Sequence, residues 1–411
     1  MGWTKIKLGK LGKTFTGLSG KTKDDFGSGK PYIPYMNVFA NLRINPHQLG
    51  NVQIKKGETQ NQVKYGDLFF TTSSETIEEV GMTAVLLDDI GEAYLNSFCF
   101  GFRLNDFEIL LPEFAPYLFR SQENRHKISL QGQGSTRYNL SKTELLEKLV
   151  LNIPSKPEQT RIAQILSKAD EAIAQTEALI AKYQRIKTGL MQDLLTSGID
   201  EHGNIRSKQT HRFVVKNGIE VPEEWEVNCL DSFCSIHNNL RKPISSLERF
   251  EKKGNYPYYG ATGIIDYIDE FRVEGKYVLI GEDGDHFLKF EKQNMTHLVN
   301  GKFNVSNHAH ILRGKENCMT EWVHYFFCNR DITYYLTRQG AGRFKLNKAT
   351  LVNLPMCVPI KKDEQERIIE KIVGFEKQFQ NIQNYREKLQ ALKTGLMQDL
   401  LSGRVRVKVT Q

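Results

Sequence analysis

Few residues of this 411-residue chain are spaced for catalysis. Gly-Lys-Thr occurs at Gly12-Lys13-Thr14 and again at Gly20-Lys21-Thr22, but a phosphate-cradling loop needs another glycine five residues before the Gly-Lys pair, and those places hold Lys7 and Phe15. The zinc-protease, nucleophile-elbow and dinucleotide signatures are missing from the sequence. Asp283 and Asp285 with Glu291 form one acidic set able to hold a metal ion for a nuclease, although Asp283-Gly284 is first of all a turn dipeptide. The six cysteines include no C-x-x-C pair, so reduced core thiols are expected rather than a zinc site.

The polar loops are more informative, because their residue types suit binding. The glycine-rich stretch GLSGKTKDDFGSGKPYIPY carries Lys21, Lys23 and Lys30, which with backbone amides would hold phosphates; the alternative is a solvated surface loop. Ser73 and Ser74 follow a strand in GDLFFTTSSE. In GQGSTRYNL, Gln133, Ser135, Thr136 and Arg137 stand beside Tyr138, a mixture able to hydrogen-bond base edges and stack. Further along, Arg241 and Lys242 precede YPYYGATG, where Tyr258 and Tyr259 are either contacts or core aromatics. Asp283 ends a strand in GKYVLIGEDGD, Asn307 and His308 sit at a turn in NVSNHAHILR, and Arg343 and Lys345 lie in GAGRFKL.

A duplication positions these loops. KTGLMQDLL occurs from Lys187 and again from Lys393, an offset of 206 (393 minus 187), and Glu158-Gln159-Thr160-Arg161-Ile162 faces Glu364-Gln365-Glu366-Arg367-Ile368 at the same offset. A period that long means two domain-sized units in tandem. Apolar residues at alternating spacings of three and four (Ile162, Leu166, Ala169, Ile173; Ile368, Ile372, Phe375, Phe379) predict a long helix in each copy, over 154–198 and 359–403, with a coiled-coil seam. Each would be a rod of roughly 60 Å, and the economical partner of one is the other, antiparallel. Ahead of each helix lies a segment of many short strands, 1–153 and 218–358, with the same order of features: a tryptophan, a strand into a polar turn, an asparagine turn, an aromatic helix, and a glycine loop with an arginine. Arg137, Tyr138 and Leu140 match Arg343, Phe344 and Leu346 at the offset of 206. Residues 199–217 are expected as a linker and 404–411 as a tail.

The net charge of +8 is spread so that 1–150 and 218–360 are nearly balanced, with 18 basic against 16 acidic and 17 against 18 side chains. Nucleic-acid binding must therefore rest on local clusters. The N-terminal MGWTKIKLGK lacks a signal peptide's apolar stretch and no membrane-length apolar run follows, which predicts a cytoplasmic protein without membrane contact.

Two unlike domains, each followed by a helix that starts at E-Q-x-R-I and ends in K-T-G-L-M-Q-D-L-L before a glycine, resemble the specificity subunit of type I restriction-modification enzymes (the HsdS family) across the whole chain. The resemblance implies an α+β fold in which two target recognition domains are separated by an antiparallel coiled coil, as a pseudo-twofold internal repeat. It implies double-stranded DNA as ligand, each domain reading half of a bipartite, asymmetric target, and two methylation (M) subunits docked on the helices, with restriction (R) subunits joined through them. No cofactor is expected on this chain; S-adenosylmethionine, ATP and Mg belong to partner subunits, as does catalysis. Two identical surfaces suit two copies of one partner, so Gly189, Leu190, Met191 and Leu194, with Gly395, Leu396, Met397 and Leu400, are the expected docking residues. Half-sites one turn of DNA apart need about 34 Å between modules, within the helices' reach. A stand-alone nuclease and a protein-only scaffold remain as alternatives.

Overall fold

The computed structural model describes residues 3–339 and 343–408. The chain falls into two compact units, one of residues up to Ala178 with those from Gln383 onward, the other of Leu179–Ile382. The division runs through the middle of both long helices, Lys156–Thr196 and Lys362–Leu401. Each unit therefore contains the first half of the helix that follows its own strands and the second half of the other.

In the first unit, Thr4–Lys7 pairs with Val150–Ile153, closing the domain just before its helix. Its antiparallel four-stranded sheet runs in the order Gly12–Thr16, Cys99–Leu104, Leu68–Thr71, Thr83–Val85. Phe70 and Phe100 stack in this sheet at 5.2 Å, and Leu68, Phe102, Phe114 and Phe119 complete a core with Ile162, Leu166, Leu400 and Leu401 from the long helices. The second unit repeats the closure, Trp225–Cys229 pairing with Pro355–Pro359. Its six-stranded sheet has the order Cys234–Ile236, Ala309–Gly314, Val273–Gly281, Thr296–Val305, Lys253–Gly260, Gly263–Ile268. Its core gathers Trp225 and Trp322, edge to face at 5.4 Å, with Met191, Leu194, Leu195, Ile368 and Ile372.

Three polar devices, each built twice, explain the repeated motifs. Gln159 and Gln365 are fully buried. Gln159 accepts from Leu111 N (2.8 Å) and donates to Ile109 O and Pro154 O; Gln365 accepts from Met319 N (2.9 Å) and donates to Asn317 O and Pro359 O. A buried amide that satisfies three backbone groups staples its domain to the start of its helix. The neighbouring carboxylates, Glu158 and Glu364, are buried too, and take Arg406 (2.5 Å) and Arg206 respectively. Further along, Asp170 bridges the Tyr117 hydroxyl (2.8 Å) and Lys393 (2.5 Å), while Glu376 bridges the Tyr325 hydroxyl (3.1 Å) and Lys187 (2.8 Å). In each unit the contacts descend along one helix as they ascend the other, so the paired halves run antiparallel.

Gly198 and Gly403 end the helices with φ of +66° and +73°, a left-handed turn that costs glycine nothing. Residues 199–217 do not form a free linker. Ile199 is buried, Arg206 is engaged by Glu364, and Phe213–Lys216 forms a hairpin with Ile219–Pro222. The turn is Asn217-Gly218, both at positive φ, as a two-residue hairpin loop of this hand requires. Nor is the described part of the tail, residues 404–408, detached, since Arg406 binds Glu158 and Val407 packs on the first core; residues 409–411 lie outside the described residues. No described helix is long and apolar enough to cross a membrane.

Candidate nucleic-acid interface

The polar loops converge at the end of the central strand pair in each unit. In the first, the ladder ends at Thr71 opposite Cys99; the next residue, Thr72, donates its N–H to Phe98 O (3.0 Å) and accepts from Leu140 N (2.9 Å). In the second, the ladder ends at Gly281 opposite Ala309; Glu282 then donates its N–H to His308 O (2.8 Å) and accepts from Leu346 N (2.7 Å). The same three segments are thus knotted by the same two backbone bonds. They are the loop after a central strand, the turn before its neighbour, and the glycine hairpin. Because these ties use only main chain, the side chains projecting from them are free to differ.

In the first knot Gly132–Gln133 and Tyr138–Leu140 form the hairpin, and Tyr138 and Asn139 pair with Ser74 and Ser73. Gln133, Ser135, Thr136 and Arg137 are exposed along it, while Tyr138 is half-buried against the core. The Tyr35 hydroxyl holds Ser73 O (2.9 Å), and burial pushes that phenol's pKa up. Ser74 is buried and bonds Glu79 (3.3 Å). Among the described residues Arg137 makes no ion pair, so its guanidinium is available to a ligand.

The second knot brings together Asp283, Asn307, His308, Arg241, Arg343 and Lys345. Asp283 pairs with Lys345 in an isolated antiparallel β-bridge, and its carboxylate lies 3.1 Å from His308 Nδ1. Arg241 donates to Glu282 (2.6 Å) and to Asn307 O (3.1 Å), and Lys345 Nζ is 3.9 Å from Glu282. His310 lies behind them, bonded to Leu346 O (2.7 Å) and to Asn238 (2.8 Å), and burial lowers its pKa. Arg343 is exposed. The arrangement offers donors and acceptors of both signs at a loop tip, suited to base edges and phosphates. Apart from the Asp283–His308 pair, Asp283, Asp285 and Glu291 do not gather into a metal cluster: among the described residues no three His, Cys, Asp or Glu side chains are grouped to hold a metal ion.

Several expected contacts lie elsewhere. Lys21 is turned inward, its ammonium bonded to Glu58 (2.6 Å) and Gln53 O (2.5 Å), which holds the Glu58 carboxyl down at about 2; it closes the loop instead of meeting a phosphate. Lys30 pairs with Glu92 (2.6 Å), whereas Lys23 is exposed. Tyr258 is a core residue at 1% exposure, its hydroxyl accepting from Ile244 N (3.0 Å) and donating to Lys242 O (2.9 Å). Tyr259 packs edge to face on Phe303, and Lys242 pairs with Glu270 (2.5 Å). The docking residues are also redirected. Met191, Leu194 and Leu400 are buried in this chain's own cores, and Leu190, Leu396 and Met397 pack against them, because the apolar stripe of each helix end faces a domain. What remains exposed is Thr188 and Gln192-Asp193, with Thr394 and Gln398-Asp399, beside Gly189 and Gly395, where an added Cβ would meet nothing within 4 Å. Phe98 was not anticipated; nothing in AYLNSFCF distinguishes it from the core phenylalanines around it.

Comparison with known proteins bears on the family and the fold. At 38% identity over 154 residues, 37% of each chain, the protein is similar to a putative type I restriction enzyme specificity subunit of Haemophilus influenzae, a match that spans little more than a third of that relative. It is 22% identical over 404 residues, 95% of this chain and 91% of the relative, to the putative MjaX specificity subunit of Methanocaldococcus jannaschii. Among solved structures it is similar to the type I S subunit of M. genitalium (TM-score 0.59, 15% identity, covering 99% of this chain and 97% of that one). It is also similar to the Thermoanaerobacter tengcongensis HsdS subunit (TM-score 0.51, 17% identity, 98% and 97%). At those identities the structures speak for the fold alone. The family model described as type I restriction modification DNA specificity domain matches residues 1–185 and again 222–391, and the chain belongs to that family.

Proposed function

We propose that this chain is the DNA-reading subunit of a type I restriction-modification complex, with no chemistry of its own, and that its two knots read two different half-sites. The observation that carries the reading is that one main-chain knot is built twice with unlike side chains: Ser73, Gln133, Thr136 and Arg137 in one, Asp283, His308, Arg343 and Lys345 in the other. Identical scaffolds presenting different hydrogen-bonding groups suit a split, asymmetric target. In this reading the paired helices set the gap between half-sites, while S-adenosylmethionine, ATP and Mg act on the partner subunits.

Two methylation subunits would dock on the exposed Thr-Gly and Gln-Asp faces of the repeated segment. Unlike cores accept the same buried leucines, so packing explains their apolarity, whereas nothing within the chain requires the exposed four residues to be the same twice. The helical glycines support this further, since each costs about 1 kcal/mol relative to alanine without filling a tight space. A cleft of about 830 Å³ opens beside Met191, Gln192 and Leu195, and one of about 550 Å³ beside Met397, Gln398 and Leu401. The decisive experiment is sequencing of methylated adenines in DNA modified by this chain co-expressed with its methylation subunit. A split motif with a fixed gap is expected; an assembled, active complex without a subunit-dependent motif would overturn the reading.

A further inference from the structure

We infer that Phe98 of the first unit stacks on a base of the bound DNA and so supplies a contact on which this unit's half-site affinity depends. The inference rests on the DNA-reading function proposed above. The Phe98 ring is 62% exposed, at the centre of the first knot. Its backbone is nevertheless among the most firmly held there: the N–H donates to Asn96 Oδ1 (2.8 Å), and the carbonyl accepts both Thr72 N–H (3.0 Å) and the Thr72 hydroxyl (2.8 Å). A ring presented to water from a fixed main chain is pre-organised, so little ordering is lost when it meets a ligand.

The chemistry of the surroundings narrows the ligand. Ser97, Thr136 and Arg137 are exposed and polar, and the cation suits a polyanion. A phenyl group adds nothing to phosphate binding or to hydrogen-bonded readout. It gains from an apolar partner, which duplex DNA offers either as a base face opened by wedging or flipping or as a thymine methyl in the major groove; of the two, only the base face requires a flat ring. The second unit holds a planar ring at the same place in its knot, His308, whose carbonyl accepts the equivalent Glu282 N–H (2.8 Å) and whose imidazole is tied to Asp283. The first ring, having no polar atom, is committed to stacking.

The test uses the complex assembled with its methylation subunits and a duplex bearing the methylated motif. Phe98→Ala should bind that duplex about 5- to 100-fold more weakly, the usual loss for a stacked base. Phe98→Tyr, which keeps the face, should stay within about 3-fold of wild type, and Phe98→Leu, apolar without a flat ring, should behave like Phe98→Ala. The dependence of affinity on salt should be the same for all of them, because no phosphate contact is altered. Thermal midpoints should also match, since the ring is outside the core. Wild-type affinity in Phe98→Ala, or full rescue by Phe98→Leu, overturns the stacking role, and if Arg137→Ala still weakens binding, the DNA-reading function stands without it. Failure of the wild-type complex to select the motif at all would overturn both.

Discussion

Glu364 allows a quantitative test of how the second unit is held together. Its carboxylate is 4% exposed and takes Arg206 in a two-pronged pair, the Trp225 indole N–H (3.2 Å) and the Ile199 N–H (3.4 Å). Arg206 itself is 9% exposed at the side chain. Replacing Glu364 by Gln keeps the shape and leaves a buried guanidinium without its countercharge, a change that costs about 3 kcal/mol or more. Arg206→Met should cost about 2–3 kcal/mol, since the carboxylate retains two neutral donors. The double variant removes both charges and should lie within about 1–2 kcal/mol of wild type, giving a coupling of about 3–5 kcal/mol. Urea unfolding followed by tryptophan fluorescence reads this directly, because Trp225 bonds the altered group; at a slope of about 2–3 kcal/mol per molar, Glu364→Gln moves the midpoint down by roughly 1 M. The matching pair in the first unit is a built-in control. Arg406 is 52% exposed, so water screens its charge and Glu158→Gln should cost only about 1 kcal/mol. Additive single variants in the second unit, or equal losses in both units, would refute the reasoning.

Two further outcomes follow from the same geometry. Gly189→Ala with Gly395→Ala should raise stability by about 1–2 kcal/mol in total, since both sites are helical and open, whereas Gly189→Phe with Gly395→Phe should block capture of the methylation subunit; normal capture by the bulky pair would remove these faces from the interface. The second unit should be acid-sensitive. His237, His286, His297, His310 and His324 are all held below the usual histidine value, first by burial, with His324 at about 4. Their folded pKa values lie below the unfolded one, so as pH falls the unfolded chain takes up protons first; the stability is intact above about pH 6.5 and is lost towards pH 4. His324 alone accounts for about 3 kcal/mol, and melts of His324→Gln that keep the full pH dependence would count against it.

The long helices were legible because their heptad spacing is local, and so were their glycine stops. The Asn217-Gly218 hairpin was legible in principle, but its polar flanks, HGNIRSKQTHR, obscured the strand signal. The order of segments in each domain was visible, including the glycine loop that carries Arg137 or Arg343, both of them exposed. Their knots were not derivable, because the ties join main-chain groups far apart in sequence and carry no side-chain signature. The fates of Lys21 and Tyr258 were decided in the same way, by Glu58 and by Ile244 and Lys242, partners that no spacing rule selects. Gln159 and Gln365 were noticed only as repeated letters. Their three hydrogen bonds reach carbonyls and amides up to 50 residues away, a distance at which sequence pattern is silent.

The exchange of helix ends also sets an order of events during synthesis. The second unit has all of its parts once residue 382 has left the ribosome, whereas the first, although made earlier, needs Lys393 against Asp170, Leu400 and Leu401 in its core, and Arg406 over Glu158. Its oldest strands must wait with an open apolar flank until residues 393–406 emerge. Loss of residues 393–406 would therefore be felt first in the N-terminal unit, uncovering the core around Leu166, Phe114 and Phe119, because none of those residues belongs to the second unit.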